Sequence, residues 1–216
     1  MKRIFAISDT GFRPDQMADK VCVKLLHKEH PKILLLPAAL EAPMLSPEAL
    51  EHYVAQFHKR YRDELGCETD VLFTNNTPTE QTIREKILSA DAVYVAPGHV
   101  PTMMEKMKQF GIDSVLKEAY DKEILMMGLS AGAMCWFKPY LGFVDTEFYP
   151  HYEGYEPIRQ GYAATDGMAA LFLDGKLSQI LRVDPTANIY LFTTKDGKPA
   201  RVRIGAKPTR SPNTNG

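Results

Sequence analysis

Five short β-type runs punctuate the first 130 residues: Ile4 to Ile7, Lys32 to Pro37 (KILLLP), Thr69 to Thr74 (TDVLFT), Ala92 to Ala96 (AVYVA) and Ile124 to Met127. Between them lie stretches whose apolar residues recur at helical spacing. A strand such as KILLL, apolar throughout, has no face to offer water, so it must be covered on both sides. A β-α-β-α rhythm with such strands predicts an α/β fold, a doubly wound and mostly parallel sheet with helices on both faces. Right-handed crossovers then bring the loops that follow the strands to one edge of the sheet, where folds of this kind bind and react.

Helix signals agree with this order. One helix is expected from Pro14 to about Lys28. Ser46 reads as an N-cap with Pro47 at the first helical position, opening a helix to about Leu65. Thr77-Pro78-Thr79-Glu80 reads as a capping box for a helix ending at Ser89. Pro101 to about Lys122 is helical, with a break at Gly111. The last third changes character: Asp174-Gly175 and Asp196-Gly197 each separate two β-rich runs, which predicts two antiparallel hairpins closing the domain. A single domain over residues 1–207 and a loose polar tail over 208–216 are expected.

Composition excludes several function classes. Lys and Arg total 26 against 27 Asp and Glu, a formal net charge of −1. Nucleic-acid binding draws mainly on clustered Lys and Arg, so no nucleic-acid partner is expected. No apolar run approaches the ~20 residues of a membrane span. The start, Met1-Lys2-Arg3-Ile4-Phe5-Ala6-Ile7-Ser8-Asp9, turns acidic after four apolar residues and does not read as a signal peptide. Cys22, Cys67 and Cys135 cannot build a disulfide framework and suit a reducing compartment, so a cytoplasmic location is expected.

The sharpest chemical signal is Met126-Met127-Gly128-Leu129-Ser130-Ala131-Gly132-Ala133-Met134. Here G-x-S-x-G follows a buried strand and opens a short apolar helix, the setting a nucleophile elbow requires. Small residues on either side let the chain turn sharply and push the serine hydroxyl out at the sheet edge. The helix start supplies N–H groups suited to a developing oxyanion. The competing reading is a Gly/Ala-rich strand-to-helix turn with no chemistry. A serine also needs a base. His27, His30, His52 and His58 fall in amphipathic helices and read as surface or helix-end residues. His27 and His30, three apart, lack a third metal ligand nearby. His99, after the fourth strand, and His151, in Phe148-Tyr149-Pro150-His151-Tyr152, are the two candidates for the base.

The strings GLSAGAMCWF (Gly128 to Phe137), LGF and PHY (Leu141 to Tyr152), ATDGMAALFLDGKL (Ala164 to Leu177) and DAVYVAPGH (Asp91 to His99) resemble the peptidase E family of serine peptidases, which includes aspartyl dipeptidases and cyanophycinases. That resemblance implies a fold similar to class I glutamine amidotransferases. It also implies a serine peptidase acting on short peptides, aspartyl peptides among them. A small peptide substrate is the expected partner of a monomer or homodimer, and no cofactor and no metal are expected. By the same resemblance Ser130 is the nucleophile, His151 the general base, and the N–H groups of Gly98 and Ala131 the oxyanion donors. Three features depart from the family pattern. The turn after the fourth strand reads Ala96-Pro97-Gly98-His99 where the family has consecutive glycines, the interval between Ser130 and His151 is short, and so is the stretch Glu153 to Gln160 after the histidine, where Arg159 is the basic residue available but is given no role. Asp145 and Glu147 lie in that interval, and neither is assigned as the orienting acid.

A second reading therefore stands beside the first: a noncatalytic or regulatory small-molecule-binding protein on the same scaffold. Metal-dependent hydrolysis has no HExxH, CxxC or comparable spacing behind it. Nucleotide binding lacks a glycine-rich loop after the first strand, where Asp9-Thr10-Gly11-Phe12 stands. Cys135, five residues past Ser130, reads as a small core residue rather than a thiol nucleophile.

Overall fold

The structure is a computed structural model, and it describes residues 1–9, 17–154, 158, 160–195 and 198–205. The start of the expected first helix, Arg159, the Asp196-Gly197 turn and the 208–216 tail lie outside these residues. Strands β1 (Arg3–Ile7), β2 (Lys32–Leu36), β3 (Glu68–Val71), β4 (Ala92–Val95) and β5 (Leu125–Leu129) run parallel. With β8 (Met168–Leu173) and β9 (Lys176–Arg182) they form a seven-stranded sheet in the order β3-β2-β4-β5-β1-β8-β9. The last two strands are antiparallel additions beside β1. The chain is thus α/β with a mostly parallel main sheet, and β5 lies at its centre.

Alternation within each strand decides which core a side chain enters. Ile4, Ala6, Leu34, Leu36, Val93, Val95 and Met126 pack on one face. Phe5, Ile7, Ile33, Leu35, Tyr94, Leu125 and Met127 pack on the other. All are buried, as continuous apolar strands require.

Helices α1 (Met17–Lys24), α2 (Pro47–His58), α3 (Glu80–Leu88), α4 (Val100–Gln109) and α5 (Ile112–Asp121) connect the strands. Gly111, at φ +66°, separates α4 from α5 where the sequence places a break. The Ser46 cap forms as expected, its hydroxyl accepting from Ala49 N–H. Beyond α2 the chain continues to Glu64 as a wider π-helical segment, which turns Arg60 and Tyr61 into the core. Tyr61 donates a 2.7 Å hydrogen bond to Asp19, and burial pushes the Asp19 carboxyl above its ordinary range.

One cap differs from expectation. Thr79, not Thr77, accepts from Thr82 N–H at 3.1 Å and opens α3. Thr77 turns instead through φ +47°, its N–H donating to Thr74 O. Thr79→Ala is expected to lower stability by about 1 kcal/mol, and Thr77→Ala to stay within about 0.5 kcal/mol. Urea denaturation distinguishes them, and equal losses at the two sites would contradict this assignment of the cap.

Both C-terminal hairpins are antiparallel, but they join different sheets. The pair β8–β9, closed by Asp174-Gly175, extends the main sheet. The pair β10 (Ile189–Lys195) and β11 (Lys198–Ile204) belongs to a four-stranded sheet in the order β11-β10-β7-β6, with β6 (Phe148–Tyr149) and β7 (Gly161–Ala164). The split follows burial: β8 is apolar and buried, as a strand inserted beside β1 must be, whereas β11 carries charged residues that remain exposed. This second sheet ends at the loop carrying His151.

Candidate active site

Ser130 follows β5 at φ +54° and ψ −115°, and a four-residue helix, α6 (Ala131–Met134), starts at the next residue. Such a conformation costs a non-glycine residue roughly 1–3 kcal/mol and persists only when its surroundings fix it. They do so here: Ser130 N–H donates to Ile7 O of neighbouring β1 (2.9 Å), and Ser130 O accepts from the N–H groups of Ala133 and Met134 (2.9 and 3.0 Å).

The two glycines of G-x-S-x-G have separate steric reasons. A Cβ on Gly128 would lie 2.7 Å from Ala133 N and closer still to the Gly132 carbonyl. A Cβ on Gly132 would lie 2.6 Å from the Val95 carbonyl carbon and 2.9 Å from Ala96 O. The elbow therefore folds tightly on itself and presses against the end of β4. That contact brings the Ala96-Pro97-Gly98-His99 turn beside α6. Gly98, at φ +133°, sits where a Cβ would lie 2.5 Å from Ala39 O, so the turn keeps glycine where the backbone approach demands it. The N–H of Ala131, first in its helix, has no intrahelical acceptor by helix geometry.

Of the two histidines open as base, the structure brings His151 to the serine and holds His99 elsewhere. His151 Nε2 is 2.7 Å from Ser130 Oγ. His99 caps α4, its Nδ1 accepting from Thr102 N–H (3.3 Å) and pairing with the Thr102 hydroxyl (2.8 Å). His58 pairs with Thr69 Oγ1 (2.9 Å). His27 and His30 fall in the connection from α1 to β2 rather than within a helix, and His30 pairs with Gly66 O.

The carboxylate that meets the His151 ring is Asp166, which sequence reasoning did not single out. Its Oδ1 is 2.7 Å from His151 Nδ1, on the far side of the ring from the serine. A carboxylate only accepts, so Nδ1 carries the proton and Nε2 is left to accept from the serine hydroxyl. Asp166 lies between β7 and β8, downstream of the histidine rather than between serine and histidine. Asp145 and Glu147 are committed elsewhere: Asp145 pairs with Lys138, and Glu147 accepts from the Tyr149 hydroxyl. Burial, then the Glu147 carboxylate, pushes Tyr149 up to about 12.

Among the described residues Asp9, His151 and Asp166 gather their ligand atoms within 4.8 Å of one another. Both nitrogens of the His151 ring are already engaged, however, by Ser130 and Asp166. Cys135 is buried, and that burial holds its thiol well above its ordinary range, so it is not available as a thiolate. No helix among the described residues is long and apolar enough to cross a membrane.

The chain is thus an α/β protein whose central parallel strand ends in a strained serine, with a histidine and a carboxylate in line behind it. Two solved structures share the fold. A peptidase from an acI-B1 Actinobacterium superposes with a TM-score of 0.73 at 14% identity, covering 95% of this chain and 96% of that one. A candidate peptidase E protein from Listeria monocytogenes EGD-e gives 0.66 at 18% identity, covering 85% and 100%. In sequence, the uncharacterized peptidase YgaJ of Bacillus subtilis (strain 168) is 27% identical over 236 aligned positions, spanning 96% of this chain and 99% of that protein. The model of peptidase family S51 matches residues 4–141, and the chain belongs to that family, the peptidase E family.

Proposed function

We propose that the protein is a serine peptidase of the peptidase E type that hydrolyses short peptides, with Ser130 as nucleophile, His151 as general base and Asp166 as the orienting carboxylate. The observation that carries this reading is the pair of 2.7 Å contacts that link Ser130 Oγ, the two His151 ring nitrogens and Asp166 Oδ1 in one line. Ser130 Oγ attacks the scissile carbonyl as its proton passes to His151 Nε2. The imidazolium, stabilised by Asp166, then returns that proton to the leaving amine as the C–N bond breaks. Water, deprotonated by the same nitrogen, cleaves the acyl-enzyme and regenerates the serine. The N–H groups of Ala131 and Gly98 take the oxyanion, a role favoured by the close seating of α6 against the end of β4.

The reading as a noncatalytic binding protein rests on the altered Ala96-Pro97 turn and on the lack of an acid; the Asp166 contact with His151 Nδ1 weighs against the second ground. Preference for an aspartyl residue rests on the family resemblance alone. Two measurements test the proposal together. A fluorophosphonate is expected to add one phosphonyl group per chain, mapped by peptide mass spectrometry to Ser130. A panel of dipeptides and tripeptides is expected to be cleaved, with aspartyl members turned over fastest. Folded protein that neither labels nor cleaves any member would sink the peptidase reading; cleavage without aspartyl preference would remove only the substrate assignment.

A further inference from the structure

Ser8 is buried at the end of β1, outside the Ser130–His151–Asp166 line, yet it is bonded to both sides of it. Its hydroxyl donates to Ala164 O (2.9 Å) and accepts from His151 N–H (2.8 Å). Its own N–H donates to Met168 O (2.9 Å), at the start of β8. One residue therefore joins three segments: the strand that also anchors Ser130 through Ile7 O, the loop carrying His151, and the connection from β7 to β8 that carries Asp166. The neighbouring Asp9 O accepts from Gly167 N–H, which ties the same connection a second time.

His151 needs such a tie. Its backbone is at φ +55°, a conformation that a residue with a Cβ holds only under constraint, and its side chain is 43% exposed. Packing alone does not fix an imidazole so open to water. The chain on its C-terminal side is held by Tyr152 N–H donating to Ala164 O (3.0 Å), the same carbonyl that the Ser8 hydroxyl donates to. Replacing Ser8 by alanine would leave Ala164 O its Tyr152 donor, whereas His151 N–H would lose its partner. The damage would fall on the histidine loop rather than on the sheet.

We infer that Ser8 is a positioning residue for the proposed triad, its hydroxyl setting where the His151 imidazole stands between Ser130 and Asp166. This rests on the serine-peptidase reading, and the experiment separates the two. Native protein, Ser8→Ala and Ser8→Thr, which retains the hydroxyl, are compared for fluorophosphonate labelling rate, kcat, KM and melting temperature. Ser8→Ala is expected to label and turn over about 10²-fold more slowly, the scale on which small misplacements of reacting groups act. KM should stay within about threefold, because substrate binding does not use the imidazole's alignment, and Ser8→Thr should recover most of the rate. Ser8→Cys, similar in size but a weak hydrogen-bonding group, replaces the alanine variant if that one does not fold. Native rates in Ser8→Ala, or a loss that follows KM or unfolding and is not rescued by threonine, would overturn the inference. If the native protein neither labels nor cleaves any peptide, the peptidase reading fails by itself. The imidazole position in crystals of native and Ser8→Ala protein then decides: a displaced or split imidazole supports the inference, an unmoved one overturns it.

Discussion

Ser130→Ala is expected to abolish fluorophosphonate labelling and to lower kcat by about 10⁶, and Asp166→Asn to lower it by about 10⁴, the scales at which serine triads lose their nucleophile and their acid. The asparagine variant is the more informative of the two. A neutral amide can donate to His151 Nδ1, which moves the ring proton to Nε2 and turns the acceptor facing Ser130 Oγ into a donor. It also leaves the imidazolium formed during attack without a counter-charge. Folding should hardly notice, because the pair is solvated: His151 and Asp166 side chains are 43% and 57% exposed, and ion pairs so open contribute about 0–1 kcal/mol. A large fall in kcat at an almost unchanged melting temperature is thus the signature of an orienting acid. Since the groups act as one unit, the double variant should be no slower than Ser130→Ala alone. Asp166→Asn retaining activity within tenfold of native would remove Asp166 from the mechanism and reopen the search for the acid.

The sequence made β1 to β5, the elbow and Ser130 readable, because each is encoded locally. KILLL and AVYVA need two covered faces wherever they sit, and Gly128 and Gly132 announce a turn whose tightness comes from their own backbone contacts. His151 was readable from its resemblance to the family string, not from any local pattern. Asp166 escaped for a topological reason. The carboxylate does not come from the interval between Ser130 and His151; it arrives from the next connection, after β7, and meets the imidazole because β8 is inserted antiparallel beside β1. A signal is present in the sequence: Asp166-Gly167 lies within ATDGMAALF, a string that resembles the family, but nothing local sets its carboxylate apart from those of the Asp-Gly pairs at 174 and 196. Ser8 escaped for a similar reason, since its partners lie more than 140 residues away in the chain. The shift from Thr77 to Thr79 as the cap of α3 is different in kind: two threonines competed for one helix start, and backbone geometry alone decided between them.

Gly132→Ala should set two local effects against each other, and the outcome reports how tightly the elbow is seated. Helix propensity alone favours alanine over glycine by about 1 kcal/mol, so a loosely packed α6 would be stabilised. The geometry predicts the opposite. The new Cβ would meet the Val95 carbonyl carbon at 2.6 Å and Ala96 O at 2.9 Å; Val95 is paired on both sides within the sheet and Ala96, just past the strand, is tied by its N–H to Leu36 O, so neither backbone atom can swing away as a side chain would. Relief requires moving α6 off β4, at about 3 kcal/mol or more. For a chain of this size that is roughly 6–12 °C in melting temperature. Activity should fall further than stability, because the same movement shifts Ser130 from His151 and opens the gap between Ala131 and the Gly98 turn, where the proposed oxyanion donors must converge. Gly128→Ala, whose Cβ would meet Ala133 N at 2.7 Å, should behave alike by pushing α6 away from β5. Thermal melts with labelling rates measured well below the transition separate the two losses. A Gly132→Ala protein that melts at or above the native temperature would show that α6 can draw back from β4 freely, and the oxyanion donors would then have to be sought elsewhere than at the junction of these two elements.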